Sequence, residues 1–249
     1  MTKAVMFDCY NTLLFYRSDE EKDGIWEQMK ESIEYMTEHQ LLAAPEELAT
    51  LYYEACAQEE QEGVRLRGQH SEVSFTRVWR NVLTMLKLPY EIAEEKAEDV
   101  LLLYRIQTRK KKQLFPNVKE ELMELKKRGK KLLLLSNAQT CFIRNELPEE
   151  IRTLFDVVMI SECEGLKKPS EELFFRSFER LELEPKETVF VGDSVGDDVI
   201  PSGKLGCHSI MIGKQLKKEE IPTHAVSFDP YCESGYTGLA DLVDALDMD

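Results

Sequence analysis

Residues 4–14 read Ala4-Val5-Met6-Phe7-Asp8-Cys9-Tyr10-Asn11-Thr12-Leu13-Leu14. Four apolar residues followed by a carboxylate and a polar turn are the pattern of a buried strand that delivers Asp8 to the edge of a sheet. Two later runs repeat it. Leu132-Leu133-Leu134-Leu135 ends in Ser136-Asn137, and Thr188-Val189-Phe190-Val191 ends in Gly192-Asp193-Ser194-Val195-Gly196-Asp197-Asp198. Between them, Gly165-Leu166-Lys167-Lys168-Pro169 supplies an amine.

Working outward, Pro116-Asn117 followed by Glu120 predicts a capped helix that stops at Gly129. Strand 131–135, helix 140–147, strand 157–160, helix 171–181, strand 188–192, helix 197–205 and strand 209–212 are expected next. A further strand at 225–228 and a helix at 239–246 are expected in the tail. Strands separated by helices argue for an α/β, doubly wound, Rossmann-like parallel sheet with helices on both faces. Such sheets bind ligands at the carboxyl ends of their strands, where most of these polar residues fall.

The stretch after residue 16 has a different character. Ile25, Met29, Ile33 and Met36 recur at helical spacing. So do Leu48, Leu51, Tyr52 and Ala55, and then Phe75, Val78, Trp79, Val82, Leu83 and Leu86. Ile92, Lys96, Val100, Leu101 and Tyr104 suggest a fourth stripe, which Lys96 weakens. Breaks are expected at Ala44-Pro45, from Gly63 to Gly68 and at Leu88-Pro89. The expected organisation is a core domain of residues 1–15 and 113–249 carrying an inserted four-helix cap of residues 16–112. The basic run Arg109 to Lys112 reads as a solvated hinge face.

A chain of 249 residues with 43% hydrophobic composition is long enough for a full core. Its formal net charge of −15 argues against nucleic acid or an anionic membrane as partner. A small anionic substrate would need a local attractor: a metal, a lysine or a helix N-terminus. The six scattered cysteines form no CxxC pair and read as reduced thiols. No basic-then-apolar leader precedes the first strand, and no apolar run approaches the roughly 18 residues of a membrane span, so the expected location is cytoplasmic. The four histidines form no sequence cluster, which argues against zinc.

A carboxylate, a hydroxyl, an ammonium and an acidic cluster in this order resemble the four motifs of the haloacid dehalogenase-like hydrolase superfamily, in its helical-cap subgroup. The motifs span roughly residues 4–212. The resemblance implies Asp8 as a nucleophile that forms a covalent ester. It implies Mg2+ held by Asp8, the Tyr10 carbonyl and Asp193, with Asp197 or Asp198 orienting metal-bound water. Ser136 and Asn137 would donate hydrogen bonds to the transferring group. Lys168, with Lys167 as second choice, would neutralise Asp8 and the bound anion. Thr12 would support the turn that aims Asp8. Cys9, on the opposite face from Asp8, is expected to be a packed thiol.

One feature departs from the family's phosphatase pattern. Position 10 holds tyrosine where most of those enzymes carry an aspartate that protonates the leaving oxygen. A phenol with a reference pKa near ~10 is a weak acid for an alkoxide and a poor base. The family's 2-haloacid dehalogenases do place tyrosine there, since halide leaves unprotonated. They follow it with glycine, where this chain has Asn11, and they lack acidic residues corresponding to Asp193 and Asp197-Asp198. They also hold halide with an arginine in the early cap, where this chain has Glu38-His39-Gln40; Arg17 would need a different geometry. A phosphoryl-receiver domain is set aside because its acidic pair precedes its aspartate. Mg2+-dependent hydrolysis of a small phosphate ester is the preferred expectation. Carbon–halogen hydrolysis and a catalytically weak binding or regulatory role are the alternatives. The stretch Gly63 to His70, read as a loop, carries Arg65 and Arg67 as candidate contacts to an anionic substrate. Substrate identity and oligomeric state are not legible.

Overall fold

The computed structural model describes residues 1–246, so the last three residues assigned above to the core domain lie outside the described residues. The chain divides into two compact units, Met1–Tyr16 with Lys112–Asp249, and Arg17–Lys111.

The first unit opens with β1 (Ala4–Phe7) and the start of β2 (Leu14–Ser18). The second unit contains four helices: α1 (Ile25–Thr37), α2 (Pro45–Arg67), α3 (Phe75–Met85) and α4 (Tyr90–Thr108). The chain then runs through β3 (Arg109–Leu114), α5 (Val118–Lys127), β4 (Lys131–Ser136), α6 (Thr140–Glu146), α7 (Glu149–Arg152) and β5 (Val157–Ile160). After these come α8 (Ser161–Glu164), α9 (Glu171–Leu181), β6 (Thr188–Gly192), α10 (Ile200–Lys204), β7 (His208–Ile212), β8 (Ala225–Phe228) and α11 (Leu239–Ala245).

Six strands form one parallel sheet in the order β5-β4-β1-β6-β7-β8. β1 is interior, with Phe7 level with Leu134 on one side and Val191 on the other. The strand order reverses beside it, so the carboxyl ends of β1, β4 and β6 lie side by side at the topological switch point. Alternation along β1 divides the core. Val5, Phe7 and Cys9 enter one apolar cluster, and Ala4 and Met6 enter the other. Cys9 is a buried thiol on the first of those faces.

Several local expectations need correction. Gly63 does not break a helix; α2 continues through Arg67, and Gly68 closes it by donating its N–H to the Val64 carbonyl. Gly63 is required for close approach, because a Cβ there would meet Ser71 Oγ at 2.3 Å. The buried face of α4 begins with Ala93 and Ala97 rather than Ile92 and Lys96, since small residues let α3 and α4 pack closely. Asn117 has a positive φ of 59° and makes no side-chain cap; its Nδ2 donates instead to Ser234 O and Thr237 Oγ1, both at 3.0 Å. The run Arg109 to Lys112 is solvated as expected, apart from half-buried Arg109; it is extended, and β3 pairs with β2. The segment expected as helix 197–205 is a π-turn over Val195–Val199 followed by the short α10.

The tail is fastened to the sheet unit by polar contacts. Glu121 on α5 accepts from the N–H groups of Gly238 and Ala240, satisfying donors at the start of α11. Arg128 bridges Glu124, Asp241 and Asp244 at 2.8–2.9 Å. No helix among the described residues is long and apolar enough to cross a membrane.

Candidate active site

Asp8 follows β1 directly, and its backbone N–H donates to the Val191 carbonyl at 2.9 Å, which fixes the strand end against β6. The chain then turns back on itself, with Leu13 N and Leu14 N both donating to the Cys9 carbonyl. Asn11, at φ 57°, takes the left-handed position of this turn, and its Oδ1 accepts from Tyr16 N. Asparagine tolerates that conformation better than most residues, so Asn11 can do the backbone work of a glycine here.

Lys168 reaches the same point from the loop before α9. Its Nζ lies 2.7 Å from Asp8 Oδ1 and 2.6 Å from Asp198 Oδ1, with all three residues buried. Asn137, one residue past β4, brackets the lysine backbone: Asn137 Nδ2 donates to Lys168 O, and Lys168 N donates to Asn137 Oδ1. The structure thus places Asn137 as a support for Lys168, a different use from the expected donation to the transferring group. Lys167 is half-buried and takes no part in these bonds.

One carboxylate oxygen each from Asp8, Asp193 and Asp198 lie within 4.8 Å of one another. Asp198 is delivered by the turn after β6. Ser194 Oγ accepts from Asp197 N, Ser194 N donates to Asp198 Oδ2 at 3.0 Å, and Gly192 leaves room that a Cβ would take from Asp198. Asp197 is directed at Ser194 instead, so of the two neighbours Asp198 joins the cluster.

The electrostatics of this group are unbalanced, with three carboxylates facing one ammonium. Burial, reinforced by Asp198 and only partly offset by Lys168, pushes the Asp8 carboxyl up to about 6. Burial and the charges of Asp8 and Asp198 push Asp193 up to about 7. Burial works against the Lys168 ammonium, but Asp198 and Asp8 outweigh it and hold its pKa above the ordinary lysine range. A hard divalent cation fits such an excess of clustered oxygens.

Two further hydroxyls lie in the turn after Asp8 and at the end of β4. Thr12 Oγ1 and Ser136 Oγ are buried without a hydrogen-bond partner among the described residues. A buried hydroxyl lacking a partner is unfavourable by roughly 1–3 kcal/mol, which a bound oxyanion would recover. Tyr10 turns its ring edge-on to Tyr16 at 5.5 Å, and its hydroxyl donates to Glu146 Oε2 at 2.6 Å.

Sequence reasoning missed two residues. Glu146 at the end of α6 is the partner of Tyr10. Tyr236, fully buried, donates its hydroxyl to the Thr12 carbonyl at 2.5 Å. Burial and the charges of Asp8 and Asp193 hold the Tyr236 phenol far above its usual pKa, so it remains a donor. Neither pairing leaves a local signature, since the partners are separated by 136 and 224 residues.

Arg65 and Arg67 lie on the last turn of α2 rather than on a loop. Arg65 is exposed and forks onto Glu62, with Nη2 at 2.6 Å, and Arg67 donates to Ser71 Oγ at 3.1 Å.

A family model described as haloacid dehalogenase-like hydrolase matches residues 2–202. A glyceraldehyde 3-phosphate phosphatase from Methanocaldococcus jannaschii is 34% identical over 131 residues, covering 52% of this chain and 55% of that protein. The chain therefore spans about half the length of this relative. The fold is similar to that of a 2-haloacid dehalogenase from Pseudomonas syringae pv. Tomato DC3000, with TM-score 0.66 and 19% identity over 99% of this chain and 100% of the other. It is also similar to a HAD phosphatase from Thermococcus onnurineus, with TM-score 0.57 and 20% identity over 97% and 98%. At these identities the two solved structures speak for the fold.

Proposed function

The chain belongs to the haloacid dehalogenase-like hydrolase family, and we propose that it is a Mg2+-dependent phosphatase acting on a small phosphate ester, with Asp8 as nucleophile. The observation that carries this reading is the convergence of Asp8, Asp193 and Asp198 around a single ammonium. Such a cluster suits a cation together with a phosphoryl group and would repel a free halide. The phosphatase relative supports the same choice.

In this mechanism Asp8 attacks phosphorus, an aspartyl phosphate forms, and the bond to the leaving oxygen breaks. Water then cleaves the aspartyl phosphate and restores the carboxylate. Lys168 holds Asp8 in place through a buried ion pair and offsets charge as the phosphoryl group arrives. Ser136 Oγ, buried and without a hydrogen-bond partner among the described residues, would donate to a non-bridging oxygen, and Thr12 would support the turn that aims Asp8. Asn137 keeps Lys168 in register. Carboxylate oxygens of Asp8 and Asp193 with the Tyr10 carbonyl would hold Mg2+, and Asp198 would orient its water; the ion supplies charge neutralisation and Lewis acidity. The six cysteines, with no disulfide among the described residues, suit a reducing compartment, and we place the protein in the cytoplasm.

The test is a turnover screen across phosphate esters and 2-haloacids, with Mg2+ and with chelator. Phosphate release that stops on chelation is the expected result. Halide release that persists in chelator would overturn the proposal in favour of dehalogenation. Ligand-induced stabilisation without any turnover would indicate a binding protein.

A further inference from the structure

The hydroxyl of Tyr10 is held by a partner that the phosphatase reading does not use. Glu146 is 7% exposed, at the last position of α6, and accepts the phenol hydrogen on Oε2 at 2.6 Å. That distance is in the short range of hydroxyl–carboxylate bonds. The ring is further fixed edge-on to Tyr16 and packs against the apolar cluster that contains Val5, Phe7 and Cys9. Tyr10 is therefore fixed at both its ring and its hydroxyl.

A phenol has one hydrogen to donate. Transfer of that hydrogen to a leaving oxygen would remove it from between two oxygens 2.6 Å apart and break a bond to a buried acceptor. We propose that Glu146 is a positioning residue that withholds the Tyr10 hydrogen from the leaving group. The site then favours phosphoryl groups carried on an oxygen that is stable as an anion, as in acyl and aryl phosphates, over alkyl phosphates. This deepens the phosphatase reading and rests on it.

The chemistry balances without an acid at position 10. Asp8 Oδ bonds to phosphorus as the bond to the leaving oxygen breaks, and the electron pair departs with that oxygen as a carboxylate or phenolate. Water next adds to the phosphorus of the aspartyl phosphate. The Asp8 carboxylate and inorganic phosphate are released, and a proton passes to solvent. An alkyl ester would instead expel an alkoxide, for which a positioned acid is typically worth about 10²–10⁴-fold.

The test measures kcat/KM, which covers steps through the first phosphoryl transfer, with Mg2+ present. Substrates are acetyl phosphate, a series of substituted phenyl phosphates, and glycerol phosphate as the alkyl ester. Wild type should favour the acyl and aryl compounds by about 10²-fold or more and show a steep dependence on the leaving group. Tyr10→Phe should keep that preference within about threefold, because the lost hydrogen was not in use. Glu146→Leu removes the acceptor and keeps a side chain of similar reach. It should raise glycerol phosphate relative to phenyl phosphate by about tenfold, whereas a merely structural residue would lower both together. Equal use of alkyl and aryl esters by wild type would overturn the inference and leave the phosphatase reading standing. A selective loss of glycerol phosphate in Tyr10→Phe would do the same, by showing that Tyr10 donates. No turnover of any phosphate compound would remove the phosphatase reading, and this inference with it. If Glu146→Leu fails to fold, the Tyr10→Phe comparison decides alone.

Discussion

The helical unit encloses Trp79 with Tyr52 and Tyr104 at ring separations of 5.0–5.7 Å, whereas the sheet unit encloses Asp8, Lys168 and Asp198. The first arrangement removes aromatic surface from water, which stabilises a fold. The second removes charges from water, which costs free energy that close pairing only partly returns. Among the described residues the helical unit buries a single charged side chain, Glu59, and gives it Arg77 at 3.2 Å. In the sheet unit the carboxylates outnumber the ammonium. A balanced buried ion is compatible with a purely structural role, while an unbalanced group at strand ends is a place where a ligand completes the charge count.

Six substitutions would break or sharpen that contrast. The largest effect is expected from Asp8→Asn, which should lower kcat by on the order of 10⁴-fold or more while circular dichroism stays that of the folded protein. Trp79→Ala should do the opposite kind of damage, destabilising the helical unit by about 3–5 kcal/mol in denaturant titrations. Activity near the wild-type rate in Asp8→Asn would remove the nucleophile.

Asp193→Asn probes the charge imbalance directly. The folded pKa of Asp193, about 7, lies above its ordinary value of 3.8. A carboxyl raised in this way contributes stability below pH 4 that is lost as pH rises through 7. Without metal, the Tm of Asp193→Asn should therefore exceed that of wild type by an amount that grows from pH 5 to pH 8, on the order of several °C at the upper end. Mg2+ should close the gap by stabilising wild type alone. A constant difference across that range would show that Asp193 does not feel its neighbours.

Tyr236→Phe removes one buried hydrogen bond and keeps the ring. We expect a loss of about tenfold in kcat with KM little changed, since the turn carrying Asp8 and Thr12 loses an anchor that sets the aim of Asp8. A change in KM alone would assign Tyr236 to binding.

The smallest effects should come from the helical unit's arginines. Arg65 is paired with Glu62 on its own helix, so Arg65→Ala should leave KM within about twofold. Arg67 is held by Ser71, and Arg67→Ala should raise KM by about threefold if that side chain meets an anionic substrate. Unchanged KM in both variants would leave the two residues as surface groups.

Legibility followed the range of the interaction. The strands at residues 4–7, 131–136 and 188–192 announce themselves because both faces of an interior parallel strand are apolar. The polar residues that end them were readable for the same reason. The stripes of α1 and α3 were visible, while the alanines that start the buried face of α4 are too small to stand out. Gly63 looked like a break because sequence cannot tell a helix-ending glycine from one that admits a neighbouring side chain. Asn137 was readable as a site residue, but its bracket on Lys168 was not, and the Tyr10–Glu146 pair left no trace. Such bonds join segments that meet only after the sheet has formed.

The bond from Tyr236 to the Thr12 carbonyl also has a consequence for how the protein comes into being. Synthesis proceeds from the amino end at roughly 5–20 residues per second. The turn that aims Asp8 is made first but must wait for residue 236 before it is anchored, and β1 must wait for β4 and β6 before it has neighbours. At those speeds the interval is on the order of ten seconds or more. During it the nascent chain carries Asp8 without the lysine, the acidic turn or the anchor that surround it in the finished fold. The proposed reactivity is thereby tied to completion of the fold, and a stalled or truncated chain that stops short of residue 236 would be born quiet.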